Sequence, residues 1–584
     1  MWYNKRKMND KRLKFLKIGL YVVAGVILAR LFVIQIIQKG EWVAKAEAQH
    51  TLENTIKAKR GEIYMMDGSE PVAVVMNEQV WTVIVDPMTA DEEGIREAIF
   101  TEGMKGYLTV AEVGEVFKDR TRRYFIVAKN VPRAEALRIR ETGVGGVWLK
   151  ENTKRVYPEG TLAARLLGFV NEDGEGQYGV EGSLNEELAG KDGMLKTVAD
   201  VNNVALSIGN ENVKIPAEDG KNVVLTVDRN VQAGVERILQ AKMEEYGKDQ
   251  ASALVMNPRN GEVLAMVDLP SYNPANYGDV KDASVYVNGV VNDPYEPASV
   301  CKAFTFATGI ELGAMTAETM YYNRDTIYID GWPISNASQN GDGWRTMQYA
   351  LNWSLNVGSI QVLKWLGGDA ENINEKGRKI LYDYYVNKFG LGRETGIELF
   401  EAQGLINDPV DGVGRDSLYA NMTFGQNMLV TMIQVASGYA AMVNGGEYYT
   451  PTIVKGYMED GVFVKKESAG PVRRVVSEST SAQMRDMLRG TRSWWRTVGV
   501  DPAGYFVGGK TGTAQVIRDG AYVMDETVAT YVGFGGAEGE LPEYVVMVRI
   551  WKEGTMADGQ GMGLPIFSEI SNFLIDYLKI KPGV

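Results

Sequence analysis

One histidine in 584 residues, His50, is the first scarcity. A serine activated by an imidazole and an acid needs a histidine beside it, and His50 stands just beyond an apolar N-terminal run, which argues against such a triad. Cysteine is as scarce: Cys301 alone excludes an intrachain disulfide and a cysteine-based zinc cluster. No HExxH or EF-hand spacing occurs, so metal catalysis would rest on carboxylates alone, and NEDGEG at 171–176 reads as a solvated turn. No metal and no cofactor are expected. Positive charge is in deficit, 62 Lys and Arg against 75 Asp and Glu, for a net charge of −13 and a pI near 5.0. That balance argues against a nucleic-acid partner, which would show as a basic face or stripe. Beyond the N-terminus no apolar run approaches twenty residues, and no repeat or low-complexity tract stands out.

What is present begins with a basic head. Residues 1–17 carry Lys5, Arg6, Lys7, Lys11, Arg12, Lys14 and Lys17 against Asp10 alone. The next twenty residues, IGLYVVAGVILARLFVIQII at 18–37, are long enough to cross a hydrocarbon core of about 30 Å as a helix. The run passes directly into QKGEWVAKAEAQ without a small-residue cleavage site, so it reads as an uncleaved anchor rather than a signal peptide. Positive charge on its N-terminal side predicts a cytoplasmic tail and an extracytoplasmic remainder. Arg30 and Gln35 interrupt the span, and polar groups at that depth either meet a partner helix, the reading slightly favoured here, or snorkel to the interface.

The remaining chain, 45% hydrophobic by overall composition, divides by texture. Residues 38–215 read as short strands such as EPVAVVM and VWTVIVD interleaved with charged helices such as VPRAEALRIRETG, and offer no catalytic cluster. After the Gly/Asp-rich break PAEDGKN, residues 216–584 open with NVVLTVD, a helix over about 230–246, and a hairpin in which apolar runs flank PRNG. Further strands are expected at YFVGGKTGTAQVI, ATYVGFGG and YVVMVRIW, with a closing helix over 564–580. Between them helical periodicity dominates, in SVCKAFTFATGIELG, TMQYALNWSLNVGSIQVLKWLG and NMLVTMIQVASGYAAMVN. A sheet closed by distant segments around a helical insert is an α+β arrangement.

Chemistry concentrates in three motifs. In EPASVCKAF, Ser299 and Lys302 are three residues apart, on one face of a helix, and a lysine kept neutral by burial and by neighbouring positive charge can take the serine's proton. Such a pair also arises by chance in a chain of this length. Ser354-Leu355-Asn356 is a Ser-x-Asn match, as are the triplets that begin at Ser271 and Ser338, and of these only the Ser354 match is read as lying inside an apolar-periodic helix. Lys510-Thr511-Gly512-Thr513 follows two glycines on a predicted strand, where Gly512 would let a ligand backbone approach and Lys510 and the two hydroxyls would present donors. The three motifs together, in this order, match the set of penicillin-binding proteins and serine β-lactamases.

On these motifs the chain resembles the class B penicillin-binding proteins, membrane-anchored peptidoglycan transpeptidases, over nearly its whole length. YEPASVCK, NVVLTVDRNVQ, ALVMNPRNGEVLAMV, RGEIY at 60–64 and RVYPEGTLAARLLGFVNEDGEGQYGVEGSLNEELAG at 155–190 resemble the family's flanking and pedestal patterns, and RLFVIQ at 30–35 its membrane exit. FGQNMLVTMIQ and SLNVG are similar to the division-type, FtsI-like branch. Several positions depart from the pattern: Tyr64-Met65-Met66-Asp67 follows RGEI, Ala298 stands where glycine is common, and Leu355 where serine often stands. Cys301 replaces a typical aromatic and, off the Ser299 face, reads as packing.

The resemblance implies an antiparallel-sheet transpeptidase domain with a helical subdomain (216–584), on an elongated mixed α/β pedestal (38–215) carried by the transmembrane anchor (18–37). It implies that Ser299 attacks the D-Ala-D-Ala carbonyl of a stem peptide, that Lys302 accepts its proton and that Ser354 relays it. Asn356 would hold Lys302 and the substrate, and Lys510, Thr511, Gly512 and Thr513 would receive the terminal carboxylate. Backbone N–H groups of Ser299 and Thr513 would form the oxyanion hole. β-Lactams would inhibit by mimicking the donor. An FtsW-type polytopic glycosyltransferase, with other division proteins, is the implied partner. An elongation-type transpeptidase, a membrane-anchored β-lactamase or β-lactam sensor, and an inactive divisome scaffold are the alternatives.

Overall fold

The computed structural model describes residues 2–42, 51–100, 106–198, 213–410, 412, 414–495, 501–518 and 521–583; His50 lies outside them. The described chain forms two compact units, Met1–Arg60 with Ala189–Gly220, and Gly61–Leu188 with Lys221–Val584.

In the first unit the helix Trp2–Phe32 runs into a π-helical turn, Val33–Ile37. Within its stretch Lys11–Ile37 an 18-residue window reaches a mean hydropathy of 2.4, the length and character of a single membrane span. The same unit holds a three-stranded antiparallel sheet of Thr51–Ile56, Gly193–Val198 and Val213–Ile215.

In the second unit, five antiparallel strands lie in the order Val263–Leu269, Gln250–Met256, Tyr544–Trp551, Ala521–Ala537, Tyr505–Arg518. Both ends of the sequence thus supply one sheet. The apolar runs of its central strands follow from burial on both faces. Along Gln250–Met256, Ala253 and Val255 pack with the helices Arg229–Tyr246 and Leu564–Tyr577, through Val235, Leu239, Ile570 and Leu574. Leu254 and Met256 point the other way, into a core shared with Phe304 and Phe306 of the helix Lys302–Glu311 and with Ile433 and Val435 of Met432–Val443. The period of two is the strand pleat itself. Leu355 and Cys301 are fully buried in this second core, and the Cys301 sulfur lies 4.0 Å from that of Met428. The thiol is pushed well up by burial, which suits packing.

A second sheet of seven strands joins Ile63–Asp67 in parallel to Asn222–Asp228, which also pairs with Val454–Glu459. Here EPVAVVM and VWTVIVD, read as separate strands, form one strand, Glu70–Val85. The polar residues between them do not turn the chain: Asn77, Glu78 and Gln79 pair in register with Arg155, Lys154 and Thr153 of Val147–Val156. In the departing YMMD segment, Met65 and Met66 are buried, Tyr64 donates to Glu62 and Asp67 accepts from Asn230.

Buried ion pairs lock the 155–183 segment. Arg155 Nε donates to Glu181 at 2.7 Å and its Nη1 to Asn77 Oδ1 at 2.8 Å, with side chains 6% and 0% exposed for Arg155 and Glu181. The segment is tied to the five-stranded sheet by Arg165 and Asp268, 2.7 Å apart. Removing one partner of a buried pair strands the other's charge, at a cost of about 3–5 kcal/mol. Glu181→Ala is therefore expected to lower the unfolding midpoint in urea by that equivalent, whereas the exposed pair Lys191–Glu218 should yield under 1 kcal/mol or so on Glu218→Ala.

Candidate active site

Ser299 lies in a single 3₁₀ turn, Ala298–Cys301, that feeds the helix Lys302–Glu311. Residues i and i+3 eclipse in such a turn, and Lys302 Nζ stands 3.0 Å from Ser299 Oγ. The turn starts at Ala298 with φ 52°, the left-handed region in which glycine is at ease. The opposite glycine makes that turn possible: a Cβ on Gly425, itself at φ 80°, would sit 2.2 Å from the Ala298 carbonyl oxygen.

The Ser-x-Asn motif departs from the sequence reading. The predicted helix breaks into Met347–Asn352 and Asn356–Leu366, and Ser354 occupies the break at φ 56°. Periodicity continues through the break because Leu351, Leu355 and Val357 remain in one core, so the apolar pattern hides it. The consequence is chemical. A residue out of the helix exposes its carbonyl, and Lys302 Nζ lies 2.5 Å from Ser354 O, 3.1 Å from Ser354 Oγ and 2.8 Å from Asn356 Oδ1. Asn356 is oriented by donating its amide N–H to Ser335 O at 2.8 Å, which leaves only its oxygen for the lysine.

The Lys510 strand closes the site. Lys510 Nζ donates to Ser354 Oγ at 2.9 Å and lies 3.1 and 3.2 Å from Thr511 O and Oγ1. Gly512 is required for a reason other than ligand access: its missing Cβ would lie 2.9 Å from the Pro297 carbonyl oxygen, so the space is taken by the Ser299 turn of the protein itself. Thr513 is exposed, and its Oγ1 accepts from Gly559 N–H at 3.0 Å. Ser299, Lys302, Ser354, Asn356, Lys510 and Thr511 are thus joined in one hydrogen-bonded chain, with Gly512 and Thr513 beside it on the same strand. Ser299 is half-exposed.

Lys302 is 0% and Lys510 1% exposed, and neither has a carboxylate partner among the described residues. Burial, then the Lys510 charge, holds Lys302 well below the usual lysine range; burial brings Lys510 down to about 7. The ligand set of Lys302 fits the neutral form. An amine has two N–H donors for Ser354 O and Asn356 Oδ1, both obligate acceptors, and one lone pair left for the Ser299 hydroxyl. Phe424, its ring centroid 5.8 Å from Nζ, walls the pocket. A cavity of about 420 Å³ opens beside Asn356, lined by Trp332, Ser335, Ser417, Asn421 and Gln426, with no charged side chain. Sequence reasoning missed Ser335 and this lining, since no local pattern ties 332–335 to 356.

The fold and site define a serine acyltransferase of the Ser-x-x-Lys class. The penicillin-binding protein transpeptidase domain model matches residues 251–572, and the penicillin-binding protein dimerisation domain model matches 55–225. The chain belongs to the penicillin-binding protein transpeptidase family. It is 30% identical to stage V sporulation protein D of Bacillus subtilis (strain 168) over 583 residues, 98% of this chain and 86% of that one. It is 26% identical to the peptidoglycan D,D-transpeptidase FtsI of Buchnera aphidicola subsp. Schizaphis graminum (strain Sg), covering 95% and 93% of the two chains. The crystal structure of penicillin-binding protein 2X from Streptococcus thermophilus shares the fold, with a TM-score of 0.71 at 22% identity over 90% of this chain and 80% of that one.

The two lysines set the expected pH dependence. Acylation by a β-lactam should be bell-shaped, with an acid limb where Lys302 gains its proton and an alkaline limb near 7 where Lys510 loses its own. Lys510→Met is expected to abolish the alkaline limb and move the acid limb to higher pH, read from stopped-flow acylation rates. Stability carries the same sign. Between about 7 and the ordinary lysine value near 10.4 the unfolded chain holds a proton that folded Lys510 does not, so this group makes stability rise with pH. The stability gain of Lys510→Met over the parent should be largest below pH 7 and shrink above it.

Proposed function

We propose that this protein is a peptidoglycan D,D-transpeptidase of the septal wall that crosslinks stem peptides through an acyl-Ser299 intermediate. The observation carrying this reading is the buried amine of Lys302 facing Ser299 Oγ with no carboxylate paired to it among the described residues. In the first step Ser299 Oγ forms a bond to the penultimate D-Ala carbonyl carbon while its proton passes to Lys302. The tetrahedral oxyanion lies against the backbone N–H groups of Ser299 and Thr513; loss of one such donor typically costs about 3–4 kcal/mol of barrier. Collapse breaks the C–N bond, and Ser354, between the two lysine nitrogens, passes the proton to the departing D-alanine amine. Lys510, with Thr511 and Thr513, receives the terminal carboxylate. An acceptor amine then attacks the ester, restoring Ser299 and leaving the crosslink. β-Lactams follow the first step and stay attached.

Around this chemistry, residues 1–17 stay in the cytoplasm, residues 18–37 cross the membrane and residues 38–215 act as a pedestal. The span and pedestal dock an FtsW-type glycosyltransferase that supplies the strands, together with other division proteins. The basic head and the polar Arg30 and Gln35 support this orientation and an intramembrane partner. A sporulation-stage wall is the second reading, favoured by the name of the Bacillus relative; a fluorescent fusion separates the two by marking vegetative septa or only developing spores.

Ser299→Ala should lose all labelling by a fluorescent penicillin while retaining its unfolding midpoint, and Lys302→Met should slow labelling by about 10²–10⁴-fold, the usual share of a positioned proton acceptor. The parent adduct should persist for many minutes. Rapid turnover would make the protein a hydrolase, and label remaining on the Ser299→Ala protein would displace the nucleophile.

A further inference from the structure

Glu296 lies three residues before the nucleophile and is only 4% exposed, yet no basic group pairs with it among the described residues. A buried carboxylate of this kind persists only when hydrogen bonds replace its lost water. Its partners come from far along the chain. Oε1 accepts the backbone N–H of Asn427 at 2.6 Å, and the Tyr522 hydroxyl donates to the two carboxylate oxygens at 3.1 and 3.2 Å. Three segments therefore meet on one side chain: the Ser299 turn, the loop after Phe424, and the Ala521–Ala537 strand, which pairs with the Lys510 strand.

Two of the three segments carry strained backbone. Ala298 and Asn427 are both non-glycine residues at left-handed φ, 52° and 58°, and such conformations persist only where surrounding contacts fix them. Ala298 N–H donates to Gly425 O at 3.1 Å, so the two strained residues belong to one backbone junction, and Glu296 spans it. On the other side, Tyr522 pairs with Ile517, seven residues beyond Lys510 on the strand edge along which a donor would lie.

We propose that Glu296 is a positioning residue for acylation, clamping the Ser299 turn to the Asn427 backbone and, through Tyr522, to the hairpin that carries Lys510. The clamp fixes the gap between nucleophile and strand edge without touching substrate. It rests on the transpeptidase reading above, because only an acyl donor seated in that gap makes its width matter.

The test uses the full-length protein in detergent and the second-order rate of Ser299 acylation by a fluorescent penicillin, with unfolding midpoints measured alongside. Glu296→Ala is expected to slow acylation by about 10–100-fold, as misplacement near 1 Å does, and Tyr522→Phe by about 3–10-fold, the loss of one hydrogen bond. Glu296→Gln, whose amide can accept from Asn427 and donate to the Tyr522 oxygen, should stay within about threefold of the parent. The double variant Glu296→Ala/Tyr522→Phe should be no slower than Glu296→Ala, since both changes break one clamp. A parent rate in Tyr522→Phe, a Gln variant as slow as the Ala variant, or multiplying effects in the double variant would each overturn the clamp. Should Glu296→Ala fail to fold, Tyr522→Phe and Glu296→Gln still decide. An unlabelled parent would instead overturn the transpeptidase reading itself.

Discussion

Two lysine side chains buried in one pocket, neither paired with a carboxylate among the described residues, are the constraint on which the site depends. Desolvation disfavours the charged form of each, and each charge disfavours the other. The cheapest resolution is to deprotonate one, and Lys302, lowered by burial and by the Lys510 charge and surrounded by acceptors, is the one that yields. That leaves a lone pair against a serine hydroxyl and a residual positive charge at Lys510 facing Ser354. Opposite electrostatic roles thus fall to two chemically identical side chains through differences in surroundings alone.

Holding those nitrogens together takes backbone that ordinary elements do not supply. Ser354 leaves the helix at positive φ to offer its carbonyl, and Ala298 does the same to turn Ser299 toward Lys302. Strain of this kind is stable only against a rigid surround. Here the surround is the doubly covered sheet and the core of Phe304, Phe306, Leu355 and Val357, in which large fully buried side chains leave the motifs little freedom. Gly425 and Gly512 contribute by absence, since a methyl at either would strike the Ser299 turn.

Much of this was legible in the sequence, and the residues show where legibility ends. Strands buried on both faces, such as YVVMVRIW, announce themselves as continuous apolar runs, and the PRNG turn fixes its hairpin. Six of the eight candidate residues that the three motifs supply lie in one hydrogen-bonded chain. The break at Ser354 was hidden because the apolar period runs through it, and a left-handed serine has no sequence signature of glycine's kind. The fusion of EPVAVVM with VWTVIVD was hidden because cross-strand partners 70–80 residues away, not local propensity, hold the polar stretch extended. Glu296 stood in the quoted motif without a role, because its partners lie 131 and 226 residues on.

The state of one nitrogen tests the account most directly. Selective ¹³Cε-lysine labelling, with the Lys302 signal assigned through Lys302→Arg, allows that side chain to be titrated by nuclear magnetic resonance in the intact protein. The account predicts a chemical shift of a neutral amine for Lys302 at pH 7, with protonation only on acidification. A Lys302 signal that stays ammonium-like up to the ordinary lysine range near 10.4 would contradict it.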